Sequence, residues 1–211
     1  MTDDHAEPIV AGGSPARATD GVDEHLVERR LRSESVYEGH FLKVRRDEIR
    51  LPSGKIAYRE HVLHPGAVMI VPLTDDGQLV LERQHRYPLD RVLLEMPAGK
   101  LDPQETSLHC AQRELREETG FHAREWAYAG CLHNAPAYSN EFIDIWFARG
   151  LVAGQQQLDD GEFLEVLTMP EAALFALAAG GQLTDAKTMV ALLKLQLWRS
   201  GAWTPAWQAA E

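Results

Sequence analysis

The chain has 211 residues, of which 45% are hydrophobic and 25% are charged, and its formal net charge is −11. This composition is typical of a soluble globular protein, and the length suits one domain or one domain with a small appendage. The acidic balance argues against a nucleic-acid-binding surface, which needs clustered Lys and Arg. An anionic substrate must be held by local positive charge or by a metal ion, because the overall field repels anions.

Cysteine usage and hydropathy indicate the compartment. The two cysteines, Cys110 and Cys131, form no metal-ligand pattern and suggest no disulfide, so we expect a reducing cytoplasm. The acidic N-terminus lacks the pattern of a signal peptide. No apolar run approaches the ~20 residues that span a bilayer, so we expect neither a membrane partner nor a nucleic-acid partner.

The first 65 residues divide into a tail and a small β region. Residues 1–25 are rich in Asp, Ala, Gly and Pro, which predicts a disordered tail. Residues 26–65 hold β-prone runs around a turn at Pro52-Ser53-Gly54, which predicts a hairpin. This region is too small to bury a core alone, so it must pack on the main domain or on another subunit.

The main domain is predicted over residues 66–199. β-prone runs predict strands at 67–73, 78–82, 92–96, 126–132, 142–148 and 163–169. Two helices follow, one with Pro170 at its first helical position and one capped by Thr184. Residues 200–211 are predicted to be a C-terminal tail, and its tryptophans have no assigned role.

The segment at 99–121, GKLDPQETSLHCAQRELREETGF, is the most informative part of the chain. Its apolar residues recur at helical spacing, and Gly120 stands where a helix C-cap glycine belongs. Glu114, Glu117 and Glu118 crowd onto one side of this helix, where like charges repel. The cluster is either a solvated acidic face or a site for a hard divalent cation, which prefers carboxylate and carbonyl oxygens.

The same segment fills all nine specified positions of the Nudix box, G-x5-E-x7-R-E-U-x-E-E-x-G-U, where U is bulky and apolar. These positions are Gly99, Glu105, Arg113, Glu114, Leu115, Glu117, Glu118, Gly120 and Phe121. The chain therefore resembles the Nudix hydrolases, which cleave nucleoside diphosphates linked to another group. The resemblance implies an α/β fold, the Nudix α/β/α sandwich, with a small N-terminal antiparallel β-sheet subdomain at 26–65 that serves in dimerisation.

Strings that extend beyond the box, among them ERQHRYPLDRVLLEMPAGKLD and HNAPAYSNEFIDIWFARGL, resemble the bacterial ADP-ribose pyrophosphatases. Pro136, sixteen residues beyond Gly120, matches a proline typical of that group. The resemblance implies Mg²⁺-dependent hydrolysis of ADP-ribose to AMP and ribose 5-phosphate, with Mn²⁺ as a substitute, by a homodimer that exchanges its N-terminal sheets. The alternatives are a GDP-mannose or other nucleotide-sugar pyrophosphatase, and a non-catalytic ADP-ribose-binding module, although no box glutamate is lost.

The resemblance also implies roles for the box residues. Glu114 and Glu118 are expected to bind metal together with the Ala98 carbonyl, and Glu117 is expected to serve as a further ligand and in catalysis. Glu105 and Arg113 are expected to form a structural ion pair that locks the loop against the helix. Gly99 is expected to permit a tight backbone turn near the diphosphate.

Substrate groups are expected outside the box. Arg59 and Arg86 are candidates for phosphate oxygens, because a guanidinium grips them bidentately. Glu141 is expected to reach the terminal ribose or the metal site, and Pro136 lies in the same loop. Tyr138 and Phe41 either pack on the substrate or belong to the core.

The resemblance places a catalytic base in a loop after the box, because related ADP-ribose enzymes use a glutamate there. Glu162 is the first choice for this carboxylate, and Asp160 and Glu165 are the alternatives. Each of them could instead be an exposed loop acid.

Overall fold

A computed structural model describes residues 23–210, and these divide into two compact units. The first comprises residues 23–66 with Ala135–Glu141, and the second comprises residues 67–134 with 142–210. The loop at 135–141 therefore belongs with the predicted 26–65 subdomain rather than with the main domain. Most of the tail predicted at 1–25 lies outside the described residues, although Glu24–Leu26 form one turn of 3₁₀ helix.

The first unit is a three-stranded antiparallel sheet in the order β1-β2-β3. Its strands are β1 (Arg29–Glu38), β2 (Lys43–Arg50) and β3 (Ile56–Leu63). The predicted hairpin is the β2–β3 pair, and Gly54 in its turn takes a positive φ of 83°. β1 adds a third strand that the sequence did not separate from β2.

The loop at 135–141 is attached to β3 by backbone and side-chain hydrogen bonds. The Val62 N–H donates to the Tyr138 carbonyl at 2.8 Å. The Asn140 amide accepts from the His64 N–H at 2.8 Å and donates to the His64 carbonyl at 3.2 Å. These contacts explain why a segment distant in sequence joins the N-terminal unit.

The second unit contains two sheets and three helices. A five-stranded sheet has the order β11-β8-β9-β4-β7, with β4 and β9 parallel, and a three-stranded antiparallel sheet has the order β10-β5-β6. The strands are β4 (Ala67–Pro72), β5 (Gln78–Arg86), β6 (Arg91–Glu95), β7 (Ala98–Lys100), β8 (Phe121–Leu132), β9 (Ile143–Ala153), β10 (Leu164–Pro170) and β11 (Gln208–Ala209). The helices are α1 (Ser107–Thr119), α2 (Glu171–Ala179) and α3 (Ala186–Arg199).

The five-stranded sheet separates two apolar layers. Alternate residues of β4, such as Val68 and Ile70, face a cluster with Leu108, Ala111 and Leu115 of α1. The intervening residues of β4 and β9 face a larger cluster that includes β5 and helices α2 and α3. The period-two alternation of a strand thus feeds both layers. The predicted α/β/α sandwich is confirmed. No helix within residues 23–210 is long and apolar enough to cross a membrane.

Capping residues set the start and end of α1 and the start of α3. Thr106 caps α1 by accepting from the His109 N–H, and Gly120 ends the helix with a φ of 74°. The prediction that Thr184 caps α3 is wrong, because the Asp185 carboxylate accepts from the Thr188 N–H at 2.9 Å. The Thr184 hydroxyl instead accepts from Arg91 at 3.1 Å.

Two further details differ from the sequence expectations. Pro170 is the residue before α2, not its first helical residue, since α2 begins at Glu171. The predicted C-terminal tail continues the second unit, because β11 pairs with β8 and both Trp203 and Trp207 pack against the larger apolar cluster. The Arg149 guanidinium lies 4.0 Å from the centre of the Trp207 ring, a cation–π contact.

Candidate active site

The box brings strand β7 and helix α1 into very close contact. A Cβ added to Gly99 would lie 1.9 Å from Cδ of Glu114, so the glycine leaves the space that the Glu114 carboxylate occupies. The expected tight turn at Gly99 is wrong, since this residue lies within extended strand β7. The box glycine is needed for lack of a side chain rather than for backbone freedom.

Arg113 gathers the box carboxylates on one side of α1. Its Nε and Nη2 donate to the two oxygens of Glu105, each at 2.9 Å. Its Nη1 donates to Glu114 at 2.8 Å and to Glu117 at 3.1 Å, and its Nη2 also reaches the Lys100 carbonyl at 3.0 Å. Hydrogen bonding to Arg113 lowers the pKa of Glu105, and the Glu105 carboxylate raises the pKa of Arg113.

Glu118 is buried and Glu114 is half-buried, and their negative charges are less fully neutralised than that of Glu105. The Ala98 N–H donates to the Glu118 carboxylate at 3.0 Å, and Glu118 is only 3% exposed. Burial, followed by the charges of Glu82, Glu114 and Glu162, raises the pKa of Glu118 well above its ordinary value. Burial is also the largest cause that raises the pKa of Glu114, to about 7.

Glu82 on β5 belongs to this group and was missed by the sequence analysis. It is fully buried, and neither of its carboxylate oxygens has a hydrogen-bond partner within residues 23–210. Burial and the neighbouring Glu95 raise its pKa to about 8. The one available signal was its position at the end of the apolar run QLVLE, since it is the last of four consecutive buried residues of β5.

Arg86, a predicted phosphate ligand, is held by a carboxylate. Its Nε and Nη2 donate to the two oxygens of Glu95, each at 2.8 Å, and Lys187 donates to Glu95 at 2.6 Å and to Asp185 at 2.8 Å. Burial raises the pKa of Glu95, but these cations outweigh it and leave that pKa below its ordinary value. The sequence analysis did not select Glu95, Lys187 or Asp185.

The three candidate bases differ in their surroundings. Glu162 is half-buried, accepts from Gln84 at 3.3 Å, and its charge contributes to the raised pKa values of Glu114 and Glu118. Glu165 is 73% exposed and pairs with Arg83 at 2.8 Å across β5 and β10. Asp160 is exposed in the preceding turn. Glu162 is therefore the candidate whose charge acts on the box glutamates.

The remaining predicted residues lie in the first unit. Arg59 forms an ion pair with Glu28 and donates to the Tyr58 carbonyl at 3.0 Å. The Glu141 carboxylate lies 3.5 Å from the His64 ring nitrogen. Exposed positions in this unit include Pro136, Tyr138 and Phe41, so the two aromatic residues are not core residues.

The carboxylates suit a divalent cation in chemistry, although those of Glu114 and Glu118 accept hydrogen bonds from protein donors. Within residues 23–210 no three acidic, histidine or cysteine side chains converge closely enough to hold an ion. Glu118 instead accepts from Ala98, and Glu114 accepts from Arg113. Buried carboxylates that outnumber their donors favour a hard cation, which takes oxygen ligands. The donor set therefore fits the metal that the resemblance implies.

Two family models match this chain. The NUDIX domain matches residues 63–192, and the nucleoside diphosphate sugar hydrolase N-terminal domain matches residues 28–62. The chain belongs to the Nudix family. The match at 63–192 covers most of the unit that carries the buried carboxylates, and the match at 28–62 covers the N-terminal sheet. The protein is thus a Nudix hydrolase, and members of this family use a divalent metal.

Individual relatives extend this likeness along the chain. An ADP-ribose pyrophosphatase from Bacillus subtilis is 34% identical over 174 residues, which cover 82% of this chain and 94% of the relative. A methanol dehydrogenase activator from Bacillus methanolicus is 33% identical and covers 81% of this chain and 93% of its own length. The crystal structure of an ADP compounds hydrolase superposes with a TM-score of 0.74 at 28% identity and covers 83% of this chain and 95% of that chain.

Proposed function

We propose that this Nudix hydrolase cleaves the diphosphate of ADP-ribose with water to give AMP and ribose 5-phosphate, in a reaction that depends on Mg²⁺, with Mn²⁺ as a substitute. The observation that carries the proposal is the buried group of carboxylates around α1, in which Glu114 and Glu118 have raised pKa values next to Glu162. Such a group suits the binding of a cation together with a phosphate substrate.

The proposed cation ligands are Glu114, Glu118, Glu117 and the carbonyl of Ala98. A bound divalent cation neutralises charge on a diphosphate and lowers the pKa of a bound water. The close approach of Glu114 to Gly99 supports this assignment, because it brings a carboxylate against the backbone next to Ala98. The Glu105–Arg113 pair holds the loop and the helix in that arrangement and needs no contact with substrate.

Glu162 is the proposed general base. Phosphoanhydride hydrolysis depends mainly on charge neutralisation and on an aligned water, so one carboxylate that takes the proton of the water is sufficient. The half-buried position of Glu162 and its influence on the pKa values of the box glutamates support this choice over Glu165 and Asp160. Glu117 is proposed to assist, either as a ligand or through a water.

Substrate selection is proposed to lie outside the box, because a metal site recognises a diphosphate but not the groups attached to it. Arg86 would meet phosphate oxygens from its position against Glu95, and Arg59 would do so after it releases Glu28. Glu141 and the loop with Pro136 would contact the terminal ribose. The relatives named for ADP-ribose and ADP compounds support an adenine nucleotide as substrate.

The proposed assembly is a homodimer that exchanges its N-terminal sheets. β1 is exposed along its whole length, and it presents Leu31, Val36 and Tyr37 at 45%, 49% and 57% exposure. Apolar side chains grouped on an exposed strand suit a protein interface. Static light scattering should give the mass of a dimer at micromolar concentration, and a monomer there would overturn this part of the proposal.

We also propose that the enzyme acts in the cytoplasm. Cys110 and Cys131 are both free thiols. Free thiols are typical of a reducing compartment. Fractionation of cells that carry the tagged full-length chain tests this proposal, and recovery outside the cytoplasm would contradict it.

The decisive test is a substrate panel on the purified full-length enzyme with Mg²⁺. ADP-ribose, GDP-mannose, ADP-glucose, NADH and diadenosine polyphosphates should be compared by kcat/KM, because specificity is a ratio of these values. We expect ADP-ribose to have the highest value, with AMP and ribose 5-phosphate as products. A tenfold or greater advantage for GDP-mannose would keep the family and overturn the substrate. Binding of ADP-ribose without turnover would favour the non-catalytic ADP-ribose-binding module instead.

A further inference from the structure

Glu82 is a charged side chain at a position where a charge has no evident structural purpose. It lies on β5 at 0% exposure, and both of its carboxylate oxygens lack a hydrogen-bond partner within residues 23–210. Burial of an unpartnered carboxylate costs several kcal/mol in general, so such groups either keep a proton or bind a cation. A leucine or valine at this position would continue the apolar run of β5 without that cost.

The two protein cations whose charges act on Glu82 donate to another carboxylate. Glu82 stands directly opposite Glu95 in the antiparallel β5–β6 pair, so the two side chains share a face. Arg86 donates to both oxygens of Glu95, and Lys187 donates to one of them. The charges of Arg86 and Lys187 lower the pKa of Glu82 less than burial and Glu95 raise it, and neither cation donates a hydrogen bond to Glu82.

Glu82 and the box glutamates form one electrostatic group. The charge of Glu82 is the largest charge effect on Glu118, ahead of those of Glu114 and Glu162. Glu162 in turn acts on Glu82. Glu82, Glu114, Glu118 and Glu162 therefore form one group of interacting negative charges. Among them Glu114 accepts from Arg113, whereas Arg86 and Lys187 donate to Glu95.

We propose that Glu82 supplies an additional carboxylate ligand to the divalent-cation site, from strand β5 and outside the Nudix box. This inference rests on the proposed function, because it adds a residue to the same cation site. It gives a role to a buried side chain that is costly in the cation-free protein. It also explains why both of its oxygens are left without protein donors.

The test measures cation binding directly, apart from catalysis. Full-length enzyme is titrated with Mn²⁺ alone, and free Mn²⁺ is followed by electron paramagnetic resonance. Four chains are compared, namely the unaltered enzyme, Glu82→Gln, Glu118→Gln and Asp47→Asn. Asp47 on β2 is the matched control, because it is a buried carboxylate whose Oδ1 also lacks a partner but lies in the N-terminal sheet.

We expect Glu82→Gln to raise the Kd for Mn²⁺ at least about tenfold, in the range found when groups that support a metal site are removed. Asp47→Asn should change the Kd less than twofold. Glu82→Asp keeps the charge but shortens the reach by one methylene, so it should retain part of the affinity. Melting curves without cation report whether each variant is folded.

The outcomes separate this inference from the proposed function. If Glu118→Gln weakens Mn²⁺ binding and Glu82→Gln does not, Glu82 has a structural role and the inference is overturned, while the cation site stands. If neither variant weakens binding, the cation site of the proposed function fails as well. If Glu82→Gln does not fold, unchanged Mn²⁺ affinity in Glu82→Asp overturns the inference in its place.

Discussion

Within the Nudix box, Arg113 binds both oxygens of Glu105, whereas the carboxylate of the deeper Glu118 accepts a hydrogen bond from the Ala98 backbone N–H. The pKa of Glu105 is accordingly lowered, and the pKa of Glu118 is raised. The motif therefore contains a complete pair, Glu105 with Arg113, in which the charge of the carboxylate is neutralised within the protein. It also contains an incomplete group, Glu114 and Glu118, whose negative charges are not fully neutralised by protein donors. A carboxylate whose charge is already neutralised by a cation has a structural use, and a buried one without a cation is available to a ligand.

The largest effect is expected from Glu118→Gln, which keeps the shape of the side chain and removes its charge from the incomplete group. Activity should fall at least ~100-fold, as when a positioned catalytic element is lost, with the fold intact by circular dichroism. Glu125→Gln, at a half-buried glutamate paired with Arg149, is the control and should keep its activity. Turnover close to normal in Glu118→Gln would remove it from the site.

Glu162→Gln tests whether the loop before β10 completes this group during catalysis. We expect kcat to fall about 100-fold, in the range for general-base catalysis, while KM changes less than about threefold, because the group acts mainly in the transition state. Asp160→Asn and Glu165→Gln should have small effects. If Asp160→Asn is the damaging change instead, the base has been assigned to the wrong loop position.

Gly99→Ala disturbs the incomplete group from the strand side. The new Cβ would overlap the Glu114 carboxylate, which lies at the end of a flexible side chain and can move away. We therefore expect about a tenfold loss of activity, or ~1.4 kcal/mol in transition-state binding, with little change in melting temperature. Gly180→Ala is the control, because its new Cβ would come no closer than 3.3 Å to a neighbour, the Ala176 carbonyl oxygen. A large stability loss in Gly99→Ala without a change in activity would contradict this account.

Glu105→Gln breaks the complete pair and should have the opposite profile. Arg113 would lose its bidentate partner, and we expect a loss of about 1–2 kcal/mol in the free energy of unfolding, in the range for a charged hydrogen bond. Arg113 keeps Glu114 and Glu117, so the Kd for Mn²⁺ should change less than about threefold. Urea unfolding and Mn²⁺ titration measure both quantities, and a stable variant with weak cation binding would exchange the roles of the two groups.

The pH dependence of stability without cation should show the smallest effect. The folded pKa of Glu114 is about 7 and that of Glu82 is about 8, both above the ordinary 4.5. Between pH 4.5 and 8 the folded state therefore binds more protons, so stability falls as the pH rises. With EDTA we expect a loss of at least ~1 kcal/mol from pH 5 to 8, or about 2–4 °C in Tm.

The lowered pKa values of Glu95 and Glu105 act in the opposite direction, but only in acid. Their contribution is present above their unfolded pKa values and is lost as the pH falls through the folded ones. The window from pH 5 to 8 therefore reports mainly the raised groups. Glu82→Gln should reduce the slope there, and a slope that is the same in both chains would show that Glu82 does not titrate in this range.

The sequence by itself determined the box, because its spacing is local. Helix α1, its end at Gly120 and the side that carries Glu114, Glu117 and Glu118 all follow from the 3.6-residue period and from a glycine cap. The same spacing predicted that Glu105, in the loop before α1, pairs with Arg113 on the helix. The order of apolar runs indicated a mixed α and β chain, and the family resemblance of the box implied the α/β/α sandwich. The errors concerned helix starts at Thr184 and Pro170, the turn expected at Gly99 and the C-terminal tail.

Only the tertiary structure decided which other residues join the box. Glu82 looks like an ordinary strand-end charge in sequence, but pairing of β5 with both β6 and β10 buries it. Glu95 and Lys187 are 92 residues apart and meet only because α3 lies beside β6. Side-chain alternation and helix caps depend on neighbours along the chain, whereas burial and long-range ion pairs depend on which surfaces pack together. The charge balance of the site depends on burial and on long-range ion pairs, so only the tertiary structure decides it.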